Sequence, residues 1–347
     1  MKLHREVLTP QVLQYDDFHD RGETNYLPYV MYFGRADYRS EVINTDRLGF
    51  RFSHGPAGQR ASVGGTVPQG PVNLLVGAST VLGIGSTSDA TTMPSRLWSA
   101  HAPSAPWLNF SGRSYNSAQE LTLLALHRHL LPEIEELVVF TGFNNLTLAT
   151  LPSWQRGEHG AFFFCNEYFD AMDEIRAGSR KPSPRGFLRG GDRGADKGGP
   201  ARPDEPKRPV AELIDTAVEY TVRHLEGLRR LAGPDTRVTY VLQPMATWLR
   251  EEPARQEKLL FDELDRISKV GTFEGLYGDI GALSAGRAFA DALSAACDKA
   301  GLRFFDLNPP LAEAITRDDW LFVDRFHYTD FGADLVSRVL AETIGLS

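Results

Sequence analysis

Apolar positions along the chain fall into two patterns. Short unbroken runs, Val72-Asn73-Leu74-Leu75-Val76, Leu137-Val138-Val139-Phe140 and Val238-Thr239-Tyr240-Val241-Leu242, stop at Gly77, near Gly142 and at Gln243-Pro244. Runs of this length closed by turn residues predict strands buried on both faces. Between them the apolar residues recur at helical spacing. Ser117 to Leu131 carries Leu121, Leu124, Ala125 and Leu131 ahead of Pro132, and Val210 to Leu231 carries Leu213, Ala217, Thr221, Leu225 and Leu228. The same reasoning predicts a helix over 288–300, a strand over 302–307, and a last helix over 330–343 with Gly345 as its C-cap. A shorter strand ends at Asn109-Phe110-Ser111. Strands alternating with helices imply a parallel sheet covered on both faces, a three-layer α/β fold.

Two stretches break the alternation. Residues 1–65 are rich in Tyr, Asp and Arg, have weak periodicity, and carry a turn signal at Asn44-Thr45-Asp46-Arg47-Leu48-Gly49. They are expected to pack as an N-terminal extension on a main domain spanning 66–347. Residues 180–209 hold six Gly, six Pro, nine Lys or Arg and four Asp or Glu, with Phe187 and Leu188 as the large apolar side chains. Such a segment buries too little to offset its ordering entropy and is expected to be a mobile insert.

Charge and cysteine content narrow the function classes. The chain of 347 residues has a formal net charge of −8, and its two cysteines, Cys165 and Cys297, form no CxxC pair. Removing the insert's +5 leaves the remainder at −13, so the basic stripe of a nucleic-acid binder is missing. No apolar run reaches the length of a membrane span, and no secretory h-region follows the N-terminus. A cytoplasmic protein without nucleic-acid or membrane partners is expected.

Ligands of open α/β sheets bind beyond the carboxyl ends of the strands, which directs attention to four segments. After the first strand comes Gly77-Ala78-Ser79-Thr80-Val81-Leu82-Gly83-Ile84-Gly85-Ser86. It fits neither GxxxxGK[ST], nor GxGxxG, nor GxSxG, and leaves a serine two residues past a strand-terminal glycine. Next, Asn109 to Ser117 joins a strand to a helix start, with Gly112 able to present its N–H and Ser114 and Ser117 as candidate caps. Third, Thr141-Gly142-Phe143-Asn144-Asn145 offers a neutral amide donor suited to a developing oxyanion. Last, Asp324 precedes His327 by three residues, a spacing that lets the carboxylate hold Nδ1–H and free Nε2 for a nucleophile. Taken singly, each also has a structural meaning as a turn, a cap or a surface ion pair.

In combination and order, Ser79, Gly112, Asn144 and Asp324-x-x-His327 resemble the SGNH (GDSL-type) hydrolase family, over roughly residues 72–341. The resemblance implies a flavodoxin-like α/β/α sandwich with a central parallel sheet. It makes Ser79 the nucleophile, His327 the general base and Asp324 its orienting partner, with Ser79 N–H, Gly112 N–H and the Asn144 amide as the oxyanion hole. The chain departs from the family at Ala78, where Asp is usual, and at Asn145, where many members have Asp. The stretch from Asn44 to Arg51 looks, more loosely, like the lead-in found in some bacterial members. The expected activity is an esterase or deacylase acting on a small acylated metabolite or carbohydrate through a Ser79 acyl-enzyme. It needs no cofactor, and no metal is expected because no HExxH or clustered ligand spacing occurs. An acyltransferase using the same site and a non-catalytic binding protein on the same fold remain alternatives, with Ser86 and Ser111 the next candidate nucleophiles. Trp154, Phe162, Phe163, Phe164 and Trp248 are expected mainly to pack, the cysteines to be ordinary thiols, and His127 and His129 to be structural or solvent-facing.

Overall fold

In the computed structural model, residues 3–20, 25–27, 29–67, 69–163 and 205–347 are described. Of the insert read at 180–209, residues 180–204 lie outside the described residues, as do Phe164 and Cys165.

Five strands form one parallel sheet: β1 (Val72–Gly77), β2 (Trp107–Ser111), β3 (Ile134–Thr141), β4 (Arg237–Leu242) and β5 (Arg303–Asp306). Their order is β2-β1-β3-β4-β5, every neighbouring pair parallel. Both β1 and β2 are buried at every position, as their unbroken apolar character requires. The helices that matter for the site are α1 (Ser79–Leu82), α2 (Ser117–His127), α3 (Phe143–Ala149), α4 (Val210–Ala232), α5 (Arg255–Ile267), α6 (Leu283–Ala300) and α7 (Asp330–Ile344). On one face of the sheet α4 packs between α2 and α6, while α7 packs with the helical turns over 93–101 on the other. The result is a flavodoxin-like three-layer sandwich. Connections leave β1 toward β2 on one side and return to β3 on the other. The crevice beyond the carboxyl ends of β1 and β3 is therefore the topological switch point.

Two local expectations are corrected. The cap of α2 is neither Ser114 nor Ser117 but Asn116, whose side chain accepts from Gln119 N and whose own N–H is returned to the Gln119 side chain. An asparagine does this as well as a serine, and it frees Ser117 for a buried contact deeper in the fold. Helix α6 begins at Leu283, five residues before the sequence reading, because the small residues Ser284, Ala285 and Gly286 extend the turn against Trp248.

The first 65 residues include two short antiparallel pairs, Asn25–Leu27 with Met31–Phe33 and Ser53–His54 with Arg60–Ala61. Val30, Phe33, Phe50, Ala61 and Val63 belong to the same buried cluster as the sheet, while Tyr15, Phe18, Val42 and Ile43 form a small satellite. Among the described residues no helix is long and apolar enough to cross a membrane.

Candidate active site

The nucleophile candidate stands at the first position of α1, the single helical turn that follows β1. Strand β1 ends in Gly77, and the chain reaches Ser79 after one buried residue, Ala78. Ser79 is half-buried, and its Oγ lies 2.8 Å from His327 Nε2. On the far side of the ring, Nδ1 is 2.7 Å from Asp324 Oδ2. A carboxylate can only accept, so Nδ1 carries the proton and Nε2 presents its lone pair to the serine. Asp324 also accepts the Phe326 and His327 N–H groups through Oδ1, at 2.7 and 2.8 Å. Burial by itself would raise the Asp324 carboxyl; the His327 ring and these donors outweigh it and hold the group below the usual carboxylate range.

The loop bearing Asp324 and His327 is itself braced. Val323 N donates to His327 O at 2.9 Å and Thr329 N to Leu321 O at 2.7 Å, which closes a tight loop ahead of α7. Thr329 caps α7, while Asp330 accepts from Thr87 N at 2.9 Å beyond α1. Beneath the loop, fully buried Glu257 on α5 accepts from Leu321 N and Phe322 N through Oε1 and from Arg250 through Oε2. Its bond to the loop could not be read locally, because Leu321 and Phe322 lie more than sixty positions away.

Gly112 and Asn144 meet at Tyr115. A Cβ on Gly112 would stand 2.2–2.5 Å from the Tyr115 ring, so only glycine admits this packing. The Tyr115 carbonyl accepts one Asn144 Nδ2 hydrogen at 2.7 Å, which sets the amide's orientation and leaves its second hydrogen for another acceptor. Gly112 N–H points to Gly77 O across a long 3.3 Å contact. Ser114 adopts a positive φ of 58° between them, the turn that brings Tyr115 back over Gly112.

Asn145, one of the two positions that differ from the SGNH pattern, is buried. Its Oδ1 accepts from Ser117 N at 3.1 Å, and its Nδ2 donates to Ser117 Oγ at 2.9 Å and Thr221 Oγ1 at 2.7 Å. An amide fits this place because the site asks for both donor and acceptor. Ser117 Oγ also meets His224 Nδ1 at 2.8 Å. This second serine–histidine pair is buried, and burial pushes the imidazole down to about 4. Ser86 and Ser111 are likewise buried and directed elsewhere, toward Thr91 O and Asn109 Oδ1.

Of the remaining candidates Trp248, His127 and Cys297 are buried, whereas Trp154, expected to pack, is 36% exposed. Trp248 is buried and donates to Ile280 O, and its ring stacks edge-on with Phe143. His127 is nearly buried against Phe50, with Nδ1 on Leu123 O. Burial pushes the Cys297 thiol up to about 12. Phe143, Phe273, Tyr277 and Phe326 form an aromatic cluster next to His327. Beside it lies an open cleft of about 530 Å³ whose lining includes Phe273, Tyr277, Asp324 and Phe326. No group of three or more His, Cys, Asp or Glu among the described residues is arranged to hold a metal ion.

No family model matches the chain, and no curated protein matches it. Among solved structures, a carbohydrate acetylesterase from Sinorhizobium meliloti is 11% identical, with 80% of this chain and 99% of that one covered at a TM-score of 0.40. A member of the lipolytic G-D-S-L family from Veillonella parvula is 11% identical over 80% and 99%, at 0.41. A lipase/acylhydrolase from Enterococcus faecalis is 11% identical over 79% and 95%, at 0.42. The likeness to each of them is slight.

Proposed function

We propose that the protein is a serine hydrolase of the SGNH type that cleaves a carboxylic ester through an acyl-enzyme on Ser79. The observation that carries the reading is the line of hydrogen bonds from Ser79 Oγ to His327 Nε2 and from His327 Nδ1 to Asp324. It sits at the switch point of the sheet. As Oγ attacks the acyl carbonyl, Nε2 takes its proton and the charged ring is stabilised by Asp324. Negative charge then collects on the carbonyl oxygen. The free hydrogen of the Asn144 amide serves it, and Gly112 N–H joins by exchanging its hydrogen bond to Gly77 O for one to the oxyanion. Ser79 N–H, at the start of α1, has no carbonyl within its own helix and is the third donor. Protonated His327 passes its proton to the leaving alkoxide, and water activated by the same ring releases the acid. The four-segment resemblance points to a small acylated metabolite or carbohydrate as the ester.

The test is hydrolysis of short-chain aryl esters and of acetylated sugars by wild type and Ser79→Ala. Turnover by wild type that falls ~10⁴-fold or more in the variant is the expected result. Equal rates in the two proteins would remove Ser79 from the chemistry, and no turnover or probe reaction at all would leave a binding protein on this fold. Adding an acceptor alcohol to the same assay and partitioning the products separates hydrolysis from acyl transfer.

A further inference from the structure

We propose that Arg51, together with Asp89 and Tyr15, is a positioning residue that fixes the turn carrying Ser79, so that the N-terminal extension sets the geometry of the nucleophile. This rests on the assignment of Ser79 above and names what holds it in place.

The Arg51 side chain is completely buried. A guanidinium in that setting is costly unless its N–H groups all find partners. Nε donates to Asp89 Oδ1 at 2.7 Å and Nη2 to Val42 O at 2.6 Å. Nη1 reaches Leu82 O and Gly83 O, each at 3.0 Å, and Tyr15 Oη at 2.9 Å. Leu82 ends α1 and Gly83 is its C-cap. The cation therefore meets the carbonyls that a helix leaves unpaired at its C-terminus, where its charge also opposes the helix dipole. A single turn has little rigidity of its own, and Ser79 is the residue at its other end.

Neighbouring contacts converge on the same turn. Tyr15 Oη lies 2.7 Å from Gly83 O and 2.8 Å from Ser86 O, and Gln11 Nε2 donates to Gly85 O at 2.7 Å. Gly83 has φ +86°, and a Cβ there would stand 3.1 Å from Arg51 Nη1 and 2.6 Å from Thr92 Cγ2, so glycine is what lets the guanidinium close on the carbonyls. Asp89 is fixed in turn by Asn44, which donates its N–H and its side-chain amide to the two carboxylate oxygens at 3.1 and 2.8 Å. The Asn44–Arg51 stretch thus grips the nucleophile turn from outside the sheet. On the other wall of the crevice Thr80 Oγ1 makes a 3.4 Å contact to Phe326 O, so a shift of α1 changes its fit to the loop bearing His327.

The experiment compares wild type, Arg51→Lys and Tyr15→Phe, each assayed well below its own Tm. The readouts are kcat, KM and the second-order rate of Ser79 labelling by a fluorophosphonate. Arg51→Lys keeps the charge and loses the fork; Tyr15→Phe removes one hydroxyl and is the milder change should the first not fold. For a positioning role, kcat and the labelling rate fall together, ~10–100-fold in Arg51→Lys and less in Tyr15→Phe, because small displacements of a nucleophile are expensive. KM stays within about twofold, since ground-state binding is untouched. Folded variants with lowered Tm but wild-type kcat and labelling rate would overturn the role and leave a purely structural ion pair. Wild type that takes no label would overturn the Ser79 assignment itself, and this proposal with it.

Discussion

In the proposed mechanism Ser79, His327, Asp324 and Asn144 divide the chemistry among themselves, and each substitution has its own signature. Asn144→Ala removes a donor that acts on charge present only in the transition state. Its kcat is expected to fall ~10²–10³-fold with little change in KM, as steady-state kinetics on an aryl ester would show. An unchanged kcat would place the oxyanion elsewhere. Asp324→Asn keeps the shape but can favour the wrong imidazole tautomer, with an expected loss of ~10⁴-fold in kcat. These four residues were legible in the sequence because each follows a strand or sits within a three-residue spacing. Tyr115, Glu257 and Arg51 were not. Arg51 stood out in the sequence only as the end of the looser Asn44–Arg51 likeness and Asp89 not at all, until the fold buries both, 38 positions apart.

At the scale of elements, the crevice is held open by contacts between helix starts and their neighbours. Asn145 ties the beginning of α3 to the first residue of α2 and to Thr221 in the middle of α4. Asn145→Ala strands buried partners on both helices and is expected to cost about 2–4 kcal/mol, measured by urea denaturation. A loss below ~0.5 kcal/mol would mean that the three contacts add nothing net. The sheet and the helices α2, α4 and α7 were readable from periodicity, since both kinds of pattern are local. Helix starts were read less well: the cap of α2 fell on Asn116 rather than on either serine, because which polar residue turns toward the N–H groups depends on what else the neighbours must contact. Position 145 stood out in the sequence only as a departure. Its purpose depends on Thr221, 76 positions away, and no local pattern carries that.

Across the whole molecule, two buried groups make stability depend on pH in opposite senses. Glu120 is fully buried, with neither oxygen in a well-formed hydrogen bond among the described residues, and burial pushes its pKa up to about 8 against the opposing pull of the nearby Thr141 hydroxyl. An unfolded carboxyl titrates near ~4.3, so between there and pH 8 the folded state holds a proton that the unfolded state has lost. Stability from this group therefore falls as pH rises, by up to about 1.4 kcal/mol per pH unit. His224 works the other way: held down to about 4, it is neutral in the fold, and its contribution is lost as pH falls from ~6.5 toward 4. Asp324, held low, adds stability above the ordinary carboxyl range that disappears as pH drops through its folded value. Glu120→Gln is expected to abolish the decline between pH 6.5 and ~8, read as Tm across a pH series. A decline as steep as that of wild type would assign it to other groups.

We propose Ser79 as the nucleophile of an acyl-transfer site activated by His327. Peptide mapping by mass spectrometry after reaction with a fluorophosphonate tests it directly. A single adduct on Ser79 is expected in wild type, lost in Ser79→Ala and slowed ~10³-fold or more in His327→Ala. An adduct on any other residue, or a Ser79 adduct formed equally fast without His327, would rule out this assignment.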